Sequence, residues 1–167
     1  MVDKPLWGDG TFEFARWETP FENTDVEVME IAWGGGPLWH EDHKPQWAGR
    51  SLFKSPFDTR LTLVVRVHES NADEPGYPND PLYFVTFQDV SAFRVLDEGG
   101  LLEFWRQTES LGRSGGTTFR VRNHQWSRES LLAFLPGDED GWSYVIATGG
   151  ECVEVVARDT PEIAPAS

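Results

Sequence analysis

One fifteen-residue stretch, 33–47, gathers the side chains best equipped for chemistry: Trp33, Trp39 and Trp47 around the run His40-Glu41-Asp42-His43. Two imidazoles three positions apart can share a divalent cation on a turn, and a distant third ligand such as His68 would complete the set. The His-Glu-x-x-His zinc-protease pattern needs one more residue between the histidines, and a helix to carry them. Gly36-Pro37 before the run and Pro45 after it leave no room for a long helix. A short exposed acidic turn accounts for the same residues, so no metal is expected. The indoles sit among Gly34, Gly35, Gly36, Pro37 and Pro45, a setting that suits a shaped surface, and Trp is enriched where binding energy concentrates. Trp33, Trp39, His40, Glu41, Asp42, His43 and Trp47 are therefore the candidate ligand- or partner-binding residues. Packing of a long loop over a sheet is the competing reading.

Other chemistries find less in the chain. A carboxylate pair could hydrolyse a glycosidic bond, but among 28 acidic residues some pair always lies at the required spacing. There is no Gly-x-x-x-x-Gly-Lys loop and no Gly-x-Gly-x-x-Gly, and only three lysines are present, so phosphate chemistry is not expected. Arg113, Arg120, Arg122 and Arg128 form an acid-free stretch with Phe119, His124 and Trp126. It could hold an anion or pair with an acidic face, and a solvated strand edge explains it more simply. The single Cys152 excludes an intrachain disulfide and a multi-cysteine zinc cage. No catalytic residue and no cofactor is assigned.

The elements that must position these residues are mostly strands. Thr11–Trp17, Asp25–Trp33, Arg60–His68 and Leu82–Phe87 alternate or run apolar, and Phe93–Leu96 follows a break near Asp89. In Asp25–Trp33 the phase slips, as burial on both faces or a bulge would cause. In Arg60–His68, Leu61, Leu63, Val65 and Val67 share one face. Two short helices are expected. Gly100–Leu111 gathers Leu101, Phe104, Trp105 and Leu111; Ser127–Leu135 starts at a capping serine and stops at Pro136-Gly137. Trp105, Trp126 and Trp142 read as core. Residues 1–10 and 159–167 read as tails of a single domain spanning 1–167.

Gly149-Gly150 fits a two-residue hairpin turn. Pairing outward from it sets Ile146 opposite Val153, Tyr144 opposite Val155 and Trp142 opposite Ala157, all on the core side. Val145, Ala147, Cys152 and Glu154 fall on the other face, where Cys152 reads as a structural thiol. Nothing resembles alternating βαβ units. The fold class expected is α+β, a mostly antiparallel sheet with two short helices.

Net charge is −14 over 167 residues, which repels nucleic acid and anionic membrane and favours a basic protein partner. Up to Asp42, ten acidic residues face only Lys4 and Arg16. With no apolar run of about 20 residues and no secretion-signal layout at the start, a bacterial cytoplasmic location is expected. The stretches Phe87–Glu98 and Tyr144–Val155 resemble small bacterial proteins of unassigned function, immunity-type proteins that neutralise toxins among them. That resemblance implies a non-catalytic, acidic protein that works by protein–protein binding. It carries no site residue and leaves the oligomeric state open. The alternative is a small-ligand or carbohydrate binder, or a hydrolase, built on 33–47.

Overall fold

A computed structural model describes residues 11–34, 59–68, 80–108, 116–137 and 140–166. In chain order its elements are β1 (Glu13–Arg16), β2 (Val26–Trp33), β3 (Leu61–Val67), β4 (Leu82–Phe87), β5 (Val90–Asp97), α1 (Glu98–Thr108), β6 (Thr118–Arg122), α2 (Gln125–Glu129), α3 (Leu131–Phe134), β7 (Ser143–Ala147), β8 (Glu151–Ala157) and β9 (Glu162–Pro165). All strand pairs are antiparallel. A five-stranded sheet runs β1-β6-β7-β8-β5, and a four-stranded sheet runs β2-β3-β4-β9. The described residues thus form a mostly antiparallel β structure with three short helices.

The sheets face one another. Leu61, Leu63, Val65, Val85 and Phe87 from the smaller sheet meet Tyr144, Ile146, Val153 and Val155 from the larger in one buried cluster. Trp17 and Phe21, on the β1–β2 connector, plug the same layer. Threonines tie that connector down: Thr118 Oγ1 donates to the Trp17 carbonyl at 3.0 Å and Thr117 Oγ1 to the Thr24 carbonyl at 2.6 Å. The opposite face of the larger sheet carries a second cluster of Phe104, Phe119, Val121, Val145, Ala147 and Cys152, against which Phe12, Phe14, Leu96 and Trp105 pack. Strands with both faces covered lose simple polar alternation, which is why β3, β7 and β8 read as nearly unbroken apolar runs.

The hairpin pairs Ile146 with Val153 and Tyr144 with Val155 as the turn implies, while Trp142 precedes β7 and lies outside the ladder. Neither Gly149 nor Gly150 uses the left-handed region. The turn is held by Thr148, whose Oγ1 accepts from the Glu151 amide at 3.0 Å and from the Gly150 amide at 3.3 Å. The phase slip in β2 is a bulge between Val28 and Glu30, which returns Ile31 and Trp33 to the face of Val26 and Val28. The break near Asp89 is a tight turn with Asp89 at φ 47°, a value an Asp tolerates better than most residues.

Several expectations are corrected. Among the described residues three helices stand where two were expected. The Ser127–Leu135 segment divides at Ser130, and Ser127 sits buried inside α2 with its hydroxyl donating to the His124 carbonyl at 2.8 Å. Residues 159–167 are not wholly a tail, because β9 extends the smaller sheet beside β4. The arginine stretch is not a sheet edge, since β6 lies between β1 and β7. Trp105, Trp126 and Trp142 are half-buried. The deeply buried indole among the described residues is Trp17, at 5% exposure.

Candidate functional site

Glu154 sits in the middle of β8, with Arg94 of β5 beside it on one flank and Val145 of β7 on the other. Its position on the second face follows from the hairpin register. The sequence does not show that this face is roofed: Glu154 is 0% exposed. An ionised carboxylate in such a place must be paired and hydrogen-bonded. Arg94 Nε donates to Oε2 at 2.7 Å, and the Ser143 hydroxyl donates to Oε1 at 2.5 Å. Ser143 lies two residues from Val145 on β7, which places it diagonally across from Glu154 on the same face.

His124 completes the cluster. After β6 the chain turns at Asn123, at φ 58°, and His124 becomes the residue preceding α2. The imidazole is 2% exposed, and its Nε2 lies 2.8 Å from Glu154 Oε1. That contact is close enough for an ion pair but lies outside the angular range of a hydrogen bond, and Nδ1 has no hydrogen-bond partner. Rings surround the imidazole: Phe12 at 6.4 Å, Phe104 at 6.0 Å, Trp126 at 6.4 Å and Phe134 at 5.7 Å between centroids. The Arg94 guanidinium is sheltered by the same rings, 4.6 Å from the centroid of Trp126 and 5.5 Å from that of Phe104. Burial by itself pushes the Glu154 carboxyl up. His124, Arg94 and the Ser143 hydroxyl together outweigh burial and hold it below the ordinary glutamate value.

Serine, histidine and an acid within hydrogen-bond reach invite comparison with a nucleophilic triad. There the imidazole must stand between acid and hydroxyl, to take the hydroxyl proton. In this cluster the carboxylate stands at the centre, with the Ser143 hydroxyl donating to it and the His124 imidazole beside it. Ser143 and Glu154 are 0% exposed, so a solute has no access to them in this state. What the arrangement does chemically is hold charge in a dry layer and join the helices to the sheet. Beside it, burial first and the Glu154 charge second push the Cys152 thiol up to about 12, leaving it protonated and unreactive.

Of the residues singled out in 33–47, Trp33 is described; Trp39, His40, Glu41, Asp42, His43 and Trp47 lie outside the described residues. Trp33 closes β2 and stacks on Phe93 of β5, with centroids 5.4 Å apart and planes inclined at 24°. It also packs against the inter-sheet core, so one face of this indole is already occupied. His68 has carboxylate neighbours: its Nδ1 is 3.1 Å from Asp80 Oδ2 and its Nε2 4.0 Å from Glu27 Oε2. Among the described residues no group of three or more histidine, cysteine or acidic side chains is arranged to hold a metal. Arg120 and Arg122 spread over Trp142, at 5.2 and 4.7 Å, and Arg122 also reaches Glu13 at 2.8 Å.

Gly112-Arg113-Ser114-Gly115-Gly116 has the Gly-x-Ser-x-Gly spacing of a nucleophile elbow. An elbow needs a strand before the serine and a helix after it. The nearest described element before the segment is α1 and the nearest after it is β6. Only Gly116 of the five is described.

The Glu154 cluster has a faint sequence signal: a glutamate flanked by Cys152, Val153, Val155 and Val156 in a hairpin strand. Its partners are 11 to 60 positions away, and no local spacing links them. The chain matches no protein-family model, no curated protein and no solved structure.

Proposed function

We propose that this protein acts by binding the basic surface of another protein, in the manner of a stoichiometric immunity-type neutraliser, and performs no catalysis. The observation that carries the reading is how the charge is distributed. The chain holds 28 acidic and 14 basic side chains. Among the described residues, four arginines are committed to the protein's own carboxylates: Arg16 to Glu18 and Glu22, Arg66 to Glu27, Arg94 to Glu154 and Arg122 to Glu13. Arg94 is drawn onto a buried acid, and the guanidinium groups of Arg120 and Arg122 lie over the Trp142 ring. These four guanidinium charges are met within the fold, and over the whole chain 28 acids against 14 bases leave a net charge of −14. Such a surface steers a cationic partner and slows its loss of register during docking.

No helix among the described residues is long and apolar enough to cross a membrane, and the charge disfavours nucleic acid. The test begins with affinity capture from the native cell, followed by association kinetics with the purified captured protein at rising sodium chloride. The reading expects a partner with a basic surface whose association rate falls steeply as the Debye length shrinks from about 30 Å at 0.01 M to about 10 Å at 0.1 M. The free protein should melt higher over the same range, because salt relieves repulsion among its acids. A neutral or acidic partner, or association insensitive to salt, overturns the reading.

A further inference from the structure

Four strands end the two sheets among the described residues, and three of them are blunted. β1 and β9 have four residues each, and β9 ends at Pro165. β2 is bulged in its middle and carries Glu27 and Glu30. β5 differs. It runs for eight residues, its irregularity is confined to the start between Val90 and Ala92, and Ala92–Asp97 pair regularly with β8. Its single arginine, Arg94, is turned onto Glu154 and offers no guarding charge. Phe93 and Val95 are 36% and 46% exposed. Long, regular edges with exposed apolar side chains are templates for strand addition, and proteins normally protect them.

We propose that the outer edge of β5 is a docking edge that receives an extended segment of the partner protein, apolar at its centre and basic at both ends, as a further strand of the five-stranded sheet. Charge selects this occupant. Exposed Asp89 and Asp97 bracket β5, and Glu151 sits opposite Asp97. The Val90 amide already donates to the Thr59 carbonyl at 3.0 Å, and the regular edge Ala92–Asp97 beyond it spans about 17 Å, the reach of a short added strand. Phe93 and Val95 stand opposite Val155 and Val153, so they share a face. Alternate apolar side chains of the incoming strand would extend this row beside the Trp33–Phe93 stack, as in β-augmentation. A second copy of this chain is disfavoured, because antiparallel β5–β5 pairing would bring the bracketing carboxylates of one copy to those of the other. The basic character of the occupant rests on the reading of function above; the edge does not.

The test uses the full chain, isotope-labelled, and the synthetic peptide Lys-Thr-Val-Thr-Val-Thr-Lys, with Glu-Thr-Val-Thr-Val-Thr-Glu for comparison. The lysine peptide should shift and protect the backbone amides of Ala92–Asp97, and the glutamate peptide should bind about tenfold more weakly or worse. Val95→Lys should weaken the lysine peptide by about tenfold or more, while Leu132→Lys, at a site 81% exposed on α3, leaves it unchanged. Phe93→Thr supplies a second edge variant should Val95→Lys fold poorly. Absence of binding, shifts elsewhere, or indifference to both edge variants overturns the docking edge; lysine-peptide binding elsewhere does so while leaving the basic-partner reading intact. Equal binding of both peptides at β5 overturns the charge of the occupant and, with it, that reading. A concentration-dependent dimer whose amide shifts fall on β5 overturns the proposal in favour of self-pairing.

Discussion

The two faces of β8 are buried alike and held by different forces. Toward the smaller sheet, Val153 and Val155 join Tyr144 and Ile146 in a predominantly apolar layer. Tyr144 meets Trp17 and Phe87 there, with ring centroids 5.0 and 5.7 Å away. Toward the helices, Cys152 and Glu154 enter a layer whose middle is a carboxylate, a guanidinium and an imidazole. The first face is non-directional, so its energy follows area removed from water and volume filled. The second is directional, because a buried carboxylate is tolerable only while each partner stays in place. One strand therefore couples a layer that resists cavities to a layer that resists the loss of a single partner.

Removing a charge should break the contrast most visibly. Glu154→Ala strands Arg94 and His124 in a dry layer and should cost about 3–5 kcal/mol in denaturant unfolding. Replacing Arg94, Glu154 and His124 together by Met, Leu and Phe should recover most of that loss, since a fully apolar substitute need not be less stable than a buried ion pair. A single-variant loss below about 1 kcal/mol would show that the cluster is energetically idle. On the other face, Ile146→Ala should cost about 2–5 kcal/mol, set by the cavity it leaves. Its denaturant slope should be unchanged, because no new surface is exposed in the native state.

Acid should separate the faces again. Glu154 is held below the ordinary glutamate value, so its contribution is complete above that value and is lost as pH falls through the lower folded one. Glu22, hydrogen-bonded to Arg16, shifts in the same direction, but that pair is exposed and is screened by salt. Stability measured by circular dichroism should therefore fall below about pH 4.3, the ordinary glutamate value. The part of the fall that survives 0.5 M salt should vanish in Glu154→Gln. An unchanged slope in that variant would mean the carboxylate is already neutral in the fold. The smallest effect concerns Cys152. With its thiol pushed up to about 12, iodoacetamide at pH 8 should leave the native chain unlabelled and label it fully in denaturant. Rapid native labelling would show that the helical layer opens.

Much of the strand plan was legible because it is written locally. The slip of phase in 26–33, the break at Asp89 and the register around Gly149-Gly150 each depend on neighbours a few residues apart. The helix start at Ser127 was misread because a serine before an apolar run suits a cap equally well as it suits a buried hydroxyl donating to the His124 carbonyl. β9 was missed because Thr-Pro-Glu-Ile-Ala-Pro has the composition of a tail, and its pairing with β4 rests on a strand some 80 positions earlier. Of the candidate site, only Trp33 can be placed, and its partner Phe93 comes from the opposite sheet.

What the sequence determined by itself was the strand-rich antiparallel class, the hairpin register, the lone thiol and the acid excess, all properties of composition or of short-range order. Only the tertiary structure decided that Glu154 is buried, that Arg94, Ser143 and His124 converge on it, and that among the described residues β5 is the long edge left with exposed apolar side chains. Periodicity gives a strand two faces but cannot say what covers each one. Here helices from two separate parts of the chain cover the second face, and that covering turns an ordinary glutamate into the centre of a buried charge cluster.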